Sequence, residues 1–165
     1  MGLDLSLTST GIEVLDSSGQ RVYGCVVGKK LRQATERDRV ERLILIANRI
    51  IGLVKEYDVR HVAIEGYAYS KKYGGEKLAE LHGVIKTQLY MACGLIAEPV
   101  SPKTARCVVF GKGKGNIEKK LVQPLLEQRG IYIESGDQRD AYVVARYKLW
   151  RASNGEGQQR RVHKR

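Results

Sequence analysis

The run Met1-Gly2-Leu3-Asp4-Leu5-Ser6-Leu7 opens the chain with strict alternation: Leu3, Leu5 and Leu7 against Gly2, Asp4 and Ser6. A period of two predicts a strand with one apolar face, and it puts Asp4 in the middle of that strand. An unpaired carboxylate is costly to bury, and no Lys or Arg lies close to Asp4 in the sequence. Two readings stand on this segment alone. Either Asp4 faces solvent or caps a neighbouring helix, or the sheet presents it to a metal ion. Thr8-Ser9-Thr10-Gly11 then turns the chain back into a second alternating strand, residues 11–15. Asp16-Ser17-Ser18-Gly19 is a further turn and residues 21–27 a third strand, so the start of the chain predicts an antiparallel meander.

A long amphipathic helix is expected over residues 34–57. Its apolar stripe is Val40, Leu43, Ile44, Ala47, Ile50, Ile51 and Val54, and its charged face carries Arg37, Asp38, Glu41, Arg42 and Arg49. Residues 61–65 read as a short buried strand that ends in a second carboxylate, Glu65. The alternation of meander, helix and strand points to a mixed sheet with helices packed on it.

Beyond a polar, tyrosine-bearing stretch with flanking glycines (residues 66–75), a helix over residues 76–93 carries Leu78, Leu81, Ile85 and Leu89 on one stripe. Gly83 inside it costs ~1 kcal/mol relative to Ala; close approach of another helix, from a second copy, and simple tolerance are both consistent with it. A strand follows over 95–98, and Ser101-Pro102 supplies an N-cap and a first-turn proline for a short helix to about residue 110. Further helices are expected over 116–129 and 136–152. Residues 1–153 read as one folded unit. Residues 154–165, rich in Gly, Gln and Arg, read as a basic disordered tail.

The chain has 165 residues, 42% of them hydrophobic and 28% charged, which suits a single globular unit burying roughly 70% of its unfolded surface. No apolar run approaches the ~20 residues of a membrane span and no signal-peptide pattern is read, so the expectation is a cytoplasmic protein with no membrane partner. The net charge of +11 calls for a polyanion or a solvated basic surface. Cys25, Cys93 and Cys107 form no CxxC pair, so reduced thiols are expected. His61, His82 and His163 lack ligand spacing, the first two reading as ordinary packing or surface residues.

The last helix opens with Ser135-Gly136-Asp137-Gln138-Arg139-Asp140-Ala141. Asp137 and Asp140 share one helix face, with Cβ atoms ~5–6 Å apart. Taken alone they read as first-turn caps. With Asp4 and Glu65 they compose an oxygen-only donor set, which selects hard ions, Mg²⁺ or Mn²⁺, and not zinc. Two such ions ~3.5–4 Å apart activate a water and stabilise a leaving 3′ oxygen in phosphodiester hydrolysis.

Gly2-Leu3-Asp4 with Thr10-Gly11, Ala63-Ile64-Glu65, Val108-Val109 before a Gly- and Lys-rich loop, and Asp137-x-x-Asp140-Ala141 together resemble the RuvC-type Holliday-junction resolvases of the ribonuclease-H-like superfamily, including phage-type members. The resemblance runs from the first strand to about residue 150. It implies an α/β ribonuclease-H-like fold: a mixed five-stranded sheet, its first three strands antiparallel, flanked by α-helices. It also implies a homodimer that makes paired nicks in a four-way DNA junction with two metal ions per active site. By position Asp4 bridges both ions, Glu65 and Asp140 complete the ligand set, and Asp137 assists. Arg106 and Lys119 match basic positions near the scissile phosphate, and the helix of Leu81 and Gly83 matches the dimer contact.

Tyr67, Tyr69 and Tyr73, with Lys71 and Lys72 among them, are candidates for DNA contact, a tyrosine stacking on an unpaired base for ~1–3 kcal/mol. In Gly111-Lys112-Gly113-Lys114-Gly115, glycine admits a close backbone while Lys112 and Lys114 supply charge to phosphate; a plain linker is the alternative. Competing functions are a broader branched-DNA or flap nuclease, an RNA–DNA hybrid ribonuclease, and a non-catalytic branched-DNA binder. Actin-like ATPases and sugar kinases share a Gly-x-Asp strand but need a second domain for which 165 residues leave no room. The cut sequence and any branch-migration or replication partner are not legible.

Overall fold

The structure, a computed structural model, describes residues 1–28, 30, 35–66 and 75–162, with side chains as far as residue 154. The elements follow as β1 (Gly2–Asp4), β2 (Thr10–Leu15), β3 (Arg21–Val27), α1 (Glu36–Glu56), β4 (Val62–Glu65), α2 (Gly75–Cys93), β5 (Ala97–Val100), α3 (Pro102–Phe110), a 3-10 turn (Lys119–Leu121), α4 (Val122–Glu127) and α5 (Gly136–Val162). The strands form one sheet in the order β3-β2-β1-β4-β5. β1–β2 and β2–β3 are antiparallel, while β1–β4 and β4–β5 are parallel. The mixed five-stranded sheet with an antiparallel meander is therefore as expected.

β1 is shorter than its alternation predicts. At residue 6 the chain leaves the ladder because Thr10 Oγ1 donates to the Ser6 carbonyl at 2.5 Å and accepts from the Ser6 N–H at 3.0 Å. Local side-chain bonds of this kind compete with strand pairing. Leu5 nonetheless stays buried and Leu7 packs beside it.

Pleating sorts the sheet's side chains between two cores. Leu3, Ile12, Val62 and Ile64 point into one, shared with Ile46, Ile50, Leu53, Leu81, Ile85 and Leu89 of α1 and α2. Ala63 and Val100 point into the other, with Ala105, Leu126, Tyr142 and Val143 of α3, α4 and α5. On this second face two positions of the central strands carry no side chain. A Cβ on Gly2 would lie 2.1 Å from the Ala141 carbonyl oxygen, and one on Gly11 would lie 2.1 Å from that of Asp137. Glycine at these two positions lets α5 lie directly on the sheet backbone.

Some expectations need correction. Val40 and Ile44 of the predicted α1 stripe are about half exposed, and Ile46 and Leu53 are buried instead. Thr35 starts α1 with a capping box to Asp38. Ser101 does occupy the N-cap of α3, but its side chain makes no capping hydrogen bond. The helix expected over 116–129 is a 3-10 turn and the short α4. Pro124 accounts for the break, since its ring clashes with the carbonyl four residues earlier unless it lies in a first turn. The final helix extends to Val162, into the stretch read as tail. A Cβ on Gly83 would meet nothing within 4 Å, so no neighbour within the described chain explains that glycine. Among the described residues no helix is long and apolar enough to cross a membrane, and the three cysteines are free thiols.

Candidate metal centre

Three separate pieces of chain deliver the acids. β1 and β4 run parallel with Gly2 beside Ala63 and Leu3 beside Ile64, so the following residues, Asp4 and Glu65, end adjacent strands side by side. Period-2 alternation puts both on the α5 face, with Gly2 and Ala63. The C-terminal ends of parallel strands are where α/β sheets form ligand crevices. α5 contributes Asp140 one turn in from its start, held close by the glycines beneath it. One carboxylate oxygen from each of Asp4, Glu65 and Asp140 lies within 4.8 Å of the others. Asp140 is 2% exposed.

Such a cluster is electrostatically strained unless cations meet it. Burial first, then the charges of Asp4 and Asp140, push the Glu65 carboxyl up to about 8, against the pull of Lys119 and Arg106. The two basic residues matched by position are the ones that lean in. Arg106 Nη2 donates to Asp140 Oδ1 at 3.3 Å, while its Nη1 donates to the Ile117 carbonyl at 3.1 Å. Lys119 Nζ lies 2.5 Å from Asp140 Oδ2 and 4.0 Å from Asp4 Oδ2. Desolvation is the largest single influence on the Lys119 ammonium and lowers its pKa, but Asp140, Asp4 and Glu65 together outweigh it and hold the ammonium above the ordinary lysine value.

Asp137, the fourth expected acid, stands apart from this trio. Its Oδ2 accepts a hydrogen bond from the Ser9 hydroxyl in the β1–β2 turn. Ser9 was not legible as part of the site, because nothing in the Thr8-Ser9-Thr10-Gly11 turn announces a partner on the last helix. A second feature missed by the sequence lies behind α5. Glu13 of β2 is fully buried and bound by Arg21 through two hydrogen bonds of 2.6 and 2.9 Å. Gln138, the neighbour of Asp137, donates to the same carboxylate at 3.2 Å. Gly24, opposite Glu13 in the β2–β3 register, leaves the room this pair needs.

Lys112 and Lys114 are exposed on the loop after α3, where Gly111 and Gly113 take positive φ angles. Tyr67, Tyr69, Lys71, Lys72 and Tyr73 lie outside the described residues. A cleft of about 200 Å³ adjoins the carboxylates, lined by Lys119, Lys120, Val122, Gly136, Arg139 and Asp140. The larger cleft, about 440 Å³, lies among Met1, Tyr57, Arg60 and Lys148, away from these acids.

No protein-family model matches the chain. It is 28% identical over 146 residues to the crossover junction endodeoxyribonuclease RuvC of Ruegeria pomeroyi, a match covering 88% of this chain and 87% of that one. Its fold is similar to that of Thermus thermophilus RuvC, with a TM-score of 0.73, 19% identity, and 93% of this chain and 95% of that chain covered. A structure of the same Thermus protein in complex with a Holliday junction substrate matches with a TM-score of 0.73 and 18% identity, over 93% of this chain and 94% of that one. The resemblance to RuvC-type resolvases therefore extends along nearly the whole chain, and the fold is the ribonuclease-H-like one those structures share.

Proposed function

We propose that this chain is a structure-selective, metal-dependent DNA endonuclease that resolves four-way junctions, acting as a homodimer that places one nick in each of two strands. One observation carries the reading: Asp4, Glu65 and Asp140, from two strand ends and a helix, converge to within 4.8 Å on a protein of net charge +11. A protein that only bound DNA would gain nothing from clustered acids facing a polyanion.

All the donors in this cluster are carboxylate oxygens, the set that suits Mg²⁺ or Mn²⁺. Asp4, Glu65 and Asp140 would hold two such ions, with Asp137 assisting. Bound there, the ions supply an activated water and charge stabilisation for the departing 3′ oxygen.

The chain's own groups do the rest. Arg106, tied to the Ile117 carbonyl, fixes the orientation of Asp140. Ser9 fixes Asp137. Lys112 and Lys114 meet phosphates along the approaching strand, with Tyr67, Tyr69, Lys71, Lys72 and Tyr73 proposed to grip the branch point. We divide the chain into a nuclease unit of residues 1–153 and a basic extension of residues 154–165 that adds phosphate contacts. The relevant compartment is then the cytoplasm of a bacterium or of a phage-infected host.

The test is to incubate the purified protein with a four-way junction, a linear duplex and an RNA–DNA hybrid, each with Mg²⁺ or with EDTA. Paired, Mg²⁺-dependent nicks confined to the junction are expected. Cuts confined to the RNA strand of the hybrid would move the function to ribonuclease H. Binding of the junction without cleavage in Mg²⁺ or Mn²⁺ would make the chain a branched-DNA binder. Native mass measurement checks the dimer.

A further inference from the structure

The two cations at the carboxylate cluster are held in different ways. Arg106 is anchored at both ends of its guanidinium, and its side chain is 13% exposed. It is part of the wall. Lys119 enters from the solvent side on the 3-10 turn, with its side chain 60% exposed and only its ammonium reaching in. That ammonium stands 2.5 Å from Asp140 Oδ2 and 4.0 Å from Asp4 Oδ2, the same two residues whose oxygens belong to the three-carboxylate cluster. A compact point charge on a flexible four-carbon stem is well suited to enter such a cluster and to leave it.

We propose that Lys119 is a built-in counterion for the metal centre. Its ammonium stands between Asp4 and Asp140, residues that would hold a divalent cation, and metal binding there would displace it outward toward the DNA. This rests on reading the acidic cluster as a metal site. Like charges are expensive to gather out of water, so a chain bearing these acids folds more readily if it carries a replaceable cation of its own. The same replacement couples two events. A cation that has been displaced from the carboxylates is free, at the mouth of the adjoining cleft, to meet a phosphate oxygen. Metal loading thereby readies a DNA contact, and the lysine competes with the metal until DNA draws it away.

The experiment measures Mn²⁺ binding to the DNA-free protein by electron paramagnetic resonance and calorimetry, for wild type, Lys119→Met and Lys119→Arg. If Lys119 competes for the site, Lys119→Met binds Mn²⁺ roughly five- to tenfold more tightly, within the usual range for coupled sites. Lys119→Arg stays close to wild type. Junction affinity in Mn²⁺ falls for Lys119→Met, although its metal site is better filled. Equal or weaker Mn²⁺ binding by Lys119→Met, with a circular dichroism spectrum like that of wild type, overturns the counterion role and leaves the metal site standing. A wild-type protein that binds no Mn²⁺ at all overturns the metal site and this inference together.

Discussion

The hydroxyl of Ser9, in the turn between β1 and β2, donates a hydrogen bond to Oδ2 of Asp137 in the first turn of α5, joining points 128 residues apart. The turn that presents Ser9 is itself fixed, since Thr10 is fully buried and its Oγ1 both donates to and accepts from the Ser6 backbone. One helical turn beyond Asp137 is Asp140, so the contact also pins the start of the helix that carries the buried carboxylate.

Ser9→Ala tests what that contact is worth. Hydrogen bonds to charged groups contribute about 1.5–3 kcal/mol, and this one is part-buried, so a loss of about 1–2 kcal/mol in urea unfolding is expected. The Mg²⁺ concentration for half-maximal cleavage should rise in parallel, and Ser9→Thr should restore both. A metal requirement that does not move would take the orientation of Asp137 out of the mechanism.

Asp4→Asn separates chemistry from binding. The substitution keeps the shape of the side chain and removes one of the three clustered carboxylates. Cleavage of a four-way junction should fall by about a thousandfold or more, several kcal/mol of barrier. Junction affinity measured in EDTA should hold. Because a like charge leaves the surroundings of Glu65, the metal-free variant should unfold at a urea concentration no lower than wild type does. Wild-type cleavage by Asp4→Asn would falsify the site assignment.

How much of this was legible from residues alone depended on whether the signal was local. The meander follows from period-2 alternation and flanking turns, Glu65 from a short apolar run that it ends, and the Asp137–Asp140 spacing is local to one helix. That Asp4 ends its strand was not legible, because alternation carries the strand on to Leu7 and only the Thr10–Ser6 bonds stop it. The buried arc of α1 was not legible. Val40 and Ile44 are as apolar as Ile46 and Leu53, so periodicity offered two overlapping faces and only packing against α2 and the sheet chose between them. Glu13 sits in a strand whose alternation carries no sign of a buried ion pair. Its burial depends on Arg21, Gly24 and Gln138, which converge only once the hairpin and α5 are in place.

The glycines under α5 make a paired prediction. At Gly11 a Cβ would sit 2.1 Å from the Asp137 carbonyl oxygen, and backbone on both sides leaves nothing soft to yield. Gly11→Ala should lift α5 off the sheet at a cost of about 1–3 kcal/mol or more, and weaken Mn²⁺ binding with it. Gly83→Ala is the control, because a Cβ there meets nothing within 4 Å. In dilute protein it should stabilise α2 by about 1 kcal/mol through helix propensity. If copies pair through α2, that gain should shrink as protein concentration rises.

His82 should contribute to acid sensitivity alongside the buried Met1 amino group, whose pKa burial also lowers, from 8.0 to about 5. The residue is 3% exposed on α2, and burial first, then the charge of Lys86, lower its pKa from 6.5 to about 4. A proton is therefore accepted more readily by the unfolded chain than by the folded one. Stability from this group is complete above about pH 6.5, is lost progressively as pH falls toward about 4, and changes no further once both states are protonated. Between about pH 7.5 and about pH 5 the expected loss is about 2 kcal/mol, read as a drop in the urea midpoint. His82→Leu puts an apolar side chain of similar size in its place and removes the titration, so its midpoint should fall less over the same interval by that amount. Parallel slopes for the two proteins would mean that His82 takes up its proton as easily in the folded state as out of it, and that the acid response comes from other groups, the Met1 amine among them.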